Sequence, residues 1–108
     1  MMTDNYQNIV NVIKSEVNPE KIILFGSRAR GDFRKDSDLD LLIIEKEPFS
    51  SGRSRLKELS KIRRALRNTE LTKDILLYSI DEVEYWKDSI NHIIANSLRE
   101  GQVLYERL

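Results

Sequence analysis

The segment from Leu39 to Ile44 reads LDLLII and constrains the fold more than any other stretch of the chain. Side chains along a strand alternate between two faces. Past Asp40 both faces carry only Leu and Ile, which predicts a strand covered on both sides, as in sheets that pack helices on each face. Two further short apolar runs are built the same way. KIILFG, residues 21–26, is β-rich and ends in glycine, and TKDILLYS, residues 72–79, is a third strand. Val103 to Tyr105 reads as a short final strand.

Helical periodicity fills the spaces between. Tyr6, Ile9, Val10, Ile13 and Val17 fall on one stripe, predicting a helix from Thr3 to Val17 with Thr3 or Asp4 as its cap and Asn18-Pro19 as its stop. Gly31 to Ser37 is polar and reads as a loop, as does Pro48 to Ser54. From Arg53 to Asn68 the helical period returns, with Leu56, Leu59, Ile62 and Leu66 as its apolar stripe. Asp81, with Glu84 three residues on, predicts the start of a last helix. It runs through Ile90, Ile93, Ile94 and Leu98, kinks near Asp88-Ser89 and stops at Gly101. Helices alternating with strands predict an α/β chain, a small mixed sheet of three to four strands flanked by helices. At 108 residues there is material for one domain, residues 1–108, which buries roughly 65% of its unfolded surface.

Composition excludes several chemistries. Lys plus Arg is 18 and Asp plus Glu is 18, so no net charge draws the chain to a DNA template or an acidic membrane. Without cysteine there are no disulfides, thiol nucleophiles or cysteine-held metals, and the single His92 builds no histidine metal cluster. No apolar run approaches the roughly 20 residues needed to span a bilayer. MMTDNYQN lacks a basic-then-apolar leader pattern, so a cytoplasmic protein is expected.

The stretch FGSRARGDFRKDSDLDLLII, residues 25–44, carries the chemistry. Asp38 and Asp40 are two apart, so in a strand they point to the same side. Two like charges at the mouth of an apolar strand raise a pKa or hold a cation. Taken alone, the pair reads equally as a polar lead-in to a strand. Gly26 ends the preceding strand, where a glycine lets backbone approach a ligand. A short helix starting at Ser27 would turn free N–H groups toward a phosphate, and Arg28 and Arg30 add charge-assisted donors. Gly26 and Gly31 have the spacing of a Walker A loop, but Asp32 and Phe33 follow where Lys and Ser or Thr are required.

Gly26-Ser27, ten residues and then Asp38-x-Asp40 resembles the signature of the DNA polymerase β-like nucleotidyltransferase superfamily. The strings GSRARG and SDLDL are most similar to the minimal nucleotidyltransferases, the MNT-domain proteins. The resemblance implies a third acid on a neighbouring strand, and Asp74 matches it. It further implies that ATP docks its phosphates on Gly26-Ser27 and that Asp38, Asp40 and Asp74 hold one or two Mg²⁺. Two such ions about 4 Å apart stabilise attacking and leaving oxygens. Ser37 matches the family pattern and is expected to brace the loop. The acceptor implied is a tyrosine of a HEPN-domain ribonuclease toxin, the chain acting as the antitoxin of a HEPN/MNT system. Two alternatives stay open: an antitoxin that works by binding alone, and a nucleotidyltransferase of a small molecule with a partner subunit.

Weaker features complete the reading. Arg53, Arg55, Lys57, Lys61, Arg63, Arg64 and Arg67 are expected on the solvated face of their helix. Tyr85-Trp86 is expected to pack on the sheet, and His92 to lie at a helix surface or boundary.

Overall fold

The computed structural model describes residues 2–69 and 72–108, apart from the side chains of residues 2–5. Nine elements follow in order: α1 (Met2–Glu16), β1 (Pro19–Phe25), α2 (Ser27–Arg30), β2 (Leu39–Glu45), α3 (Arg55–Ala65), β3 (Lys73–Ser79), α4 (Ile80–Trp86), α5 (Ile93–Glu100) and β4 (Gln102–Glu106). The strands form one mixed sheet in the order β3-β2-β1-β4. β1 pairs antiparallel with both β2 and β4, while β2 and β3 run parallel. A parallel pair cannot be closed by a tight turn, and α3 lies in the crossover that joins β2 to β3.

β2 is buried on both faces, as its composition requires. On one face Leu39, Leu41 and Ile43 join Ile22, Leu24, Ile75 and Leu77 beneath Ile9, Val10 and Ile13 of α1 and Ile62 of α3. On the other, Leu42 and Ile44 pack with Ile23, Phe25, Leu76, Tyr78 and Val83 of α4. Pro19 opens β1, where a residue without an N–H fits the first strand position.

Several expectations need correction. The cap proposed at Thr3 or Asp4 rests on side chains outside the described residues. Leu56 does not join the buried stripe of α3 and is 74% exposed. In that first turn Arg55 faces β3 instead, donating to the Leu77 carbonyl at 3.4 Å. The cap of α4 is Ser79, not Asp81: Ser79 and Glu82 form the capping box, while Asp81 sits in the first turn. The expected kinked helix is two helices, because α4 closes at Lys87, turns over residues 88–91 follow, and His92 caps α5, its Nδ1 accepting from the Ile94 N–H at 3.1 Å. Tyr85 does not pack on the sheet but is 76% exposed. Trp86 stacks on His92 with ring centroids 4.0 Å apart. Among the described residues no helix is long and apolar enough to cross a membrane.

Candidate functional site

Sheet register assembles the acids. β1 pairs with β2 so that Phe25 lies opposite Asp40, and β2 pairs with β3 so that Asp40 lies opposite Asp74. Asp38 stands two residues upstream of Asp40, just before β2 begins. Asp40 and Asp74 thus sit side by side at one end of the sheet, Asp40 half-buried and Asp74 exposed with Asp38.

The neighbouring acids act on Asp40. Burial raises the Asp40 pKa above the usual carboxylate range, the charges of Asp74 and then Asp38 raise it further, and Arg30 opposes them. An environment that disfavours ionisation by desolvation and like charge is one that a cation relieves.

Gly26 packs against Asp40. Its φ of 74° lies in the left-handed region, and a Cβ there would clash with Asp40 Oδ2. Glycine is therefore required by the carboxylate packed against it and by its backbone conformation. Its carbonyl accepts from the Ala29 and Arg30 N–H groups, both at 3.1 Å, starting α2 directly after the turn. Ser27 is half-buried at the head of that turn, its carbonyl accepting from the Gly31 N–H at 2.9 Å.

The two arginines of α2 part company. Arg28 is 7% exposed and points inward: Nε and Nη2 donate to the Ser37 carbonyl at 3.2 and 3.0 Å, and Nη2 also reaches the Lys35 carbonyl at 3.5 Å. Its guanidinium lies over the Phe33 ring, 4.7 Å from the centroid. Arg30 stays at the rim, paired with Asp32 at 3.4 Å and Glu100 at 3.3 Å. Ser37 closes the loop, its Oγ accepting from the Arg34 N–H at 2.8 Å.

Among the described residues no group of three or more His, Cys, Asp or Glu side chains forms a cage that could hold a metal ion. The donor set nevertheless suits Mg²⁺, which binds through one or two carboxylates and completes its shell with waters and substrate phosphates. Sequence reasoning missed two contacts here, Gly26 against Asp40 and Arg28 against the Ser37 carbonyl. The signal available for the first was a glycine one position past the strand end that pairs with an aspartate. For the second it was Phe33, an aromatic in an otherwise polar loop.

Comparison with known proteins gives the family and the fold. A Methanocaldococcus jannaschii protein named "Putative protein adenylyltransferase MJ0604" is 50% identical across 92% of this chain and 93% of its own. The crystal structure of a toxin–antitoxin with AMP-PNP superposes with a TM-score of 0.62 at 18% identity, covering 95% of this chain and 74% of that one. That of a tri-AMPylated Shewanella oneidensis HEPN toxin in complex with MNT antitoxin gives a TM-score of 0.56 at 16% identity, over 99% and 74% of the two chains. Similarity at these identities concerns the fold. Residues 7–108 match the family described as "Polymerase beta, Nucleotidyltransferase", and with a register that sets Asp40 against Asp74 beside the Gly26-Ser27 turn, the chain belongs to that family of nucleotidyltransferases.

Proposed function

We propose that this chain is a cytoplasmic, Mg²⁺-dependent protein adenylyltransferase that moves AMP from ATP to a tyrosine hydroxyl of a HEPN ribonuclease toxin and so acts as its antitoxin. The observation that carries the reading is the pairing of Asp40 with Asp74, with Asp38 two residues from Asp40 and Gly26 packed on the Asp40 carboxylate. The names of the M. jannaschii relative and of the HEPN–MNT complex support the choice of acceptor class.

Asp38 and Asp40 would hold the metal, and Asp74 would share in it. Bound Mg²⁺ supplies positive charge against the triphosphate and the departing pyrophosphate. Gly26 and Ser27 receive the phosphates where the backbone turns. Arg30 lies on the same rim and its ion pairs are exposed, so they give way to a stronger anion at little cost. Asp74, on the edge strand, is open to an incoming side chain. It orients the acceptor hydroxyl and takes its proton as the oxygen bonds to the α-phosphorus and the bond to pyrophosphate breaks.

The test is incubation of the protein with labelled ATP, Mg²⁺ and a HEPN-domain toxin, followed by intact-mass measurement of that partner. Each AMP adds one discrete mass step. Asp74→Asn should still form the complex and transfer little AMP. An unmodified partner that is still neutralised would replace this reading with antitoxin action by binding alone, and label appearing in a small molecule would replace it with the third reading.

A further inference from the structure

We propose that Arg28 is a positioning residue for the metal-binding loop, and that it does not contact phosphate. The inference rests on the metal site proposed above.

A guanidinium carries five donors and no acceptor, and a buried one must spend them inside the protein. Arg28 spends Nε and Nη2 on carbonyls. Its fork grips the Ser37 oxygen through two nitrogens and reaches the Lys35 oxygen with one of them. The Ser37 carbonyl belongs to the peptide plane that also contains the Asp38 nitrogen, and that plane is rigid. Holding the oxygen therefore holds the backbone from which the Asp38 side chain departs.

The loop has its own internal closure, and that closure does not reach the sheet. The Ser37 N–H donates to the Arg34 carbonyl at 3.0 Å, and the Arg34 N–H donates to Ser37 Oγ at 2.8 Å. These bonds tighten residues 34–37 into a turn and leave its placement open. Arg28 supplies the placement, because it rides on α2, whose first carbonyl acceptor is Gly26, the residue packed on Asp40. One side chain thus links the Gly26 turn, Asp40 and the loop that ends in Asp38. Phe33 covers the guanidinium and keeps the fork in plane.

Arg28→Lys separates this role from a phosphate contact. Lysine keeps the charge, which is what a phosphate senses, and loses the planar fork, which is what the Ser37 carbonyl senses. Three readouts are needed: hydrogen exchange at the Ser37 amide without ligand, ATP affinity in EDTA, and the Mn²⁺ concentration that half-saturates ATP binding. We expect exchange about tenfold faster, an unchanged affinity in EDTA, and a Mn²⁺ requirement raised about tenfold, the lower end of what loss of a metal site's supporting contact costs. Phe33→Leu should move exchange and Mn²⁺ requirement the same way by less, and it stands in if Arg28→Lys does not fold. Wild-type exchange and Mn²⁺ requirement in a folded variant would overturn the proposal, as would a loss of affinity in EDTA equal to that with Mn²⁺. A wild-type protein that binds no Mn²⁺·ATP would instead overturn the metal site itself, while exchange at Ser37 would still report on Arg28.

Discussion

Both ends of the sheet gather acids, and they treat them in opposite ways. Where β2 and β3 begin, the charges of Asp74 and Asp38 burden Asp40, with Arg30 as an opposing cation. Where β2 finishes, Glu45 is 3% exposed and bonded to Arg53, which also pairs with Glu58 at 3.2 Å. Arg55 pairs with Glu82 nearby, and Arg107 with Glu20 at 3.5 Å. A cavity of about 760 Å³ opens at this second end, lined in part by Glu45, Arg53 and Glu58. One end has its counter-charges built in, and the other leaves them to be supplied from outside. Glu45 keeps one gap: Oε2 has no partner, and burial followed by the hydrogen bond and charge of Glu58 pushes its pKa up to about 7, against the pull of Arg53.

The largest expected effect is at the uncompensated end. Asp40→Asn should reduce nucleotide transfer about 10²- to 10³-fold, the scale on which groups that stabilise transition-state charge act. The metal-free melting temperature should hold or rise, because a like-charge cluster has been relieved. An Asn variant that melts well below wild type would make Asp40 as structural as Glu45 and erase the contrast.

At the compensated end the pattern should invert. Arg53→Ala strands a buried carboxylate, which costs about 3 kcal/mol, the lower end for a broken buried pair because Glu45 can take up a proton. Chemical denaturation measures the loss. Nucleotide binding per folded molecule should be unchanged, and a loss there would show that the two ends communicate.

Gly26→Ala sharpens the comparison from the backbone side. The positive φ costs about 1–3 kcal/mol for a residue with a side chain, and the new methyl meets the Asp40 carboxylate. Combined with Asp40→Ala, the penalty should shrink to its backbone part. Equal penalties in the two backgrounds, read from thermal melts, would mean that Asp40 is not what excludes a side chain at residue 26.

The smallest effect is a pH dependence. Glu45 gives up its proton near its ordinary value of 4.5 when unfolded and at about 7 when folded, so the folded state holds the extra proton between those limits. Its contribution to stability is accordingly full below the lower value and falls as pH rises toward and past the upper one. Glu45→Gln should remove this slope, so the melting-temperature difference between wild type and variant should change between pH 5 and pH 8 by an amount worth on the order of 1 kcal/mol. Parallel curves would assign the proton elsewhere.

What was legible follows from the range of the interactions. The apolar runs identified the strands because burial on two faces leaves few polar options, whereas strand parity does not reach Asp38, which lies one residue before β2. Asp74 was legible as a third acid only through the family resemblance; its register opposite Asp40 was not, because it depends on how α3 returns the chain to the sheet and strand composition carries no register. Arg28 read as a phosphate-facing residue because its partners are carbonyls, which every residue has. Leu56 fitted the helical period and still lies exposed, since periodicity marks a stripe without saying how far along it the sheet extends. Tyr85 misled for a related reason, as α4 ends at Trp86 and residues 87–91 carry the chain off.

The connections between strands also set an order of assembly. Gly26, Ser27, Asp38 and Asp40 all come from β1, β2 and the residues 26–38 between them, an antiparallel pair closed by one short connection. Asp74 arrives only after residues 46–72 have crossed over and β3 has found its parallel register. Closing the longer loop takes more entropy, and non-local pairing is the slow part of folding. Under the proposed function, a nascent chain that had formed only its hairpin would carry the Gly26-Ser27 turn and two aspartates without the third. Transfer in such a chain would wait on its edge strand, so a half-made molecule would consume no nucleotide.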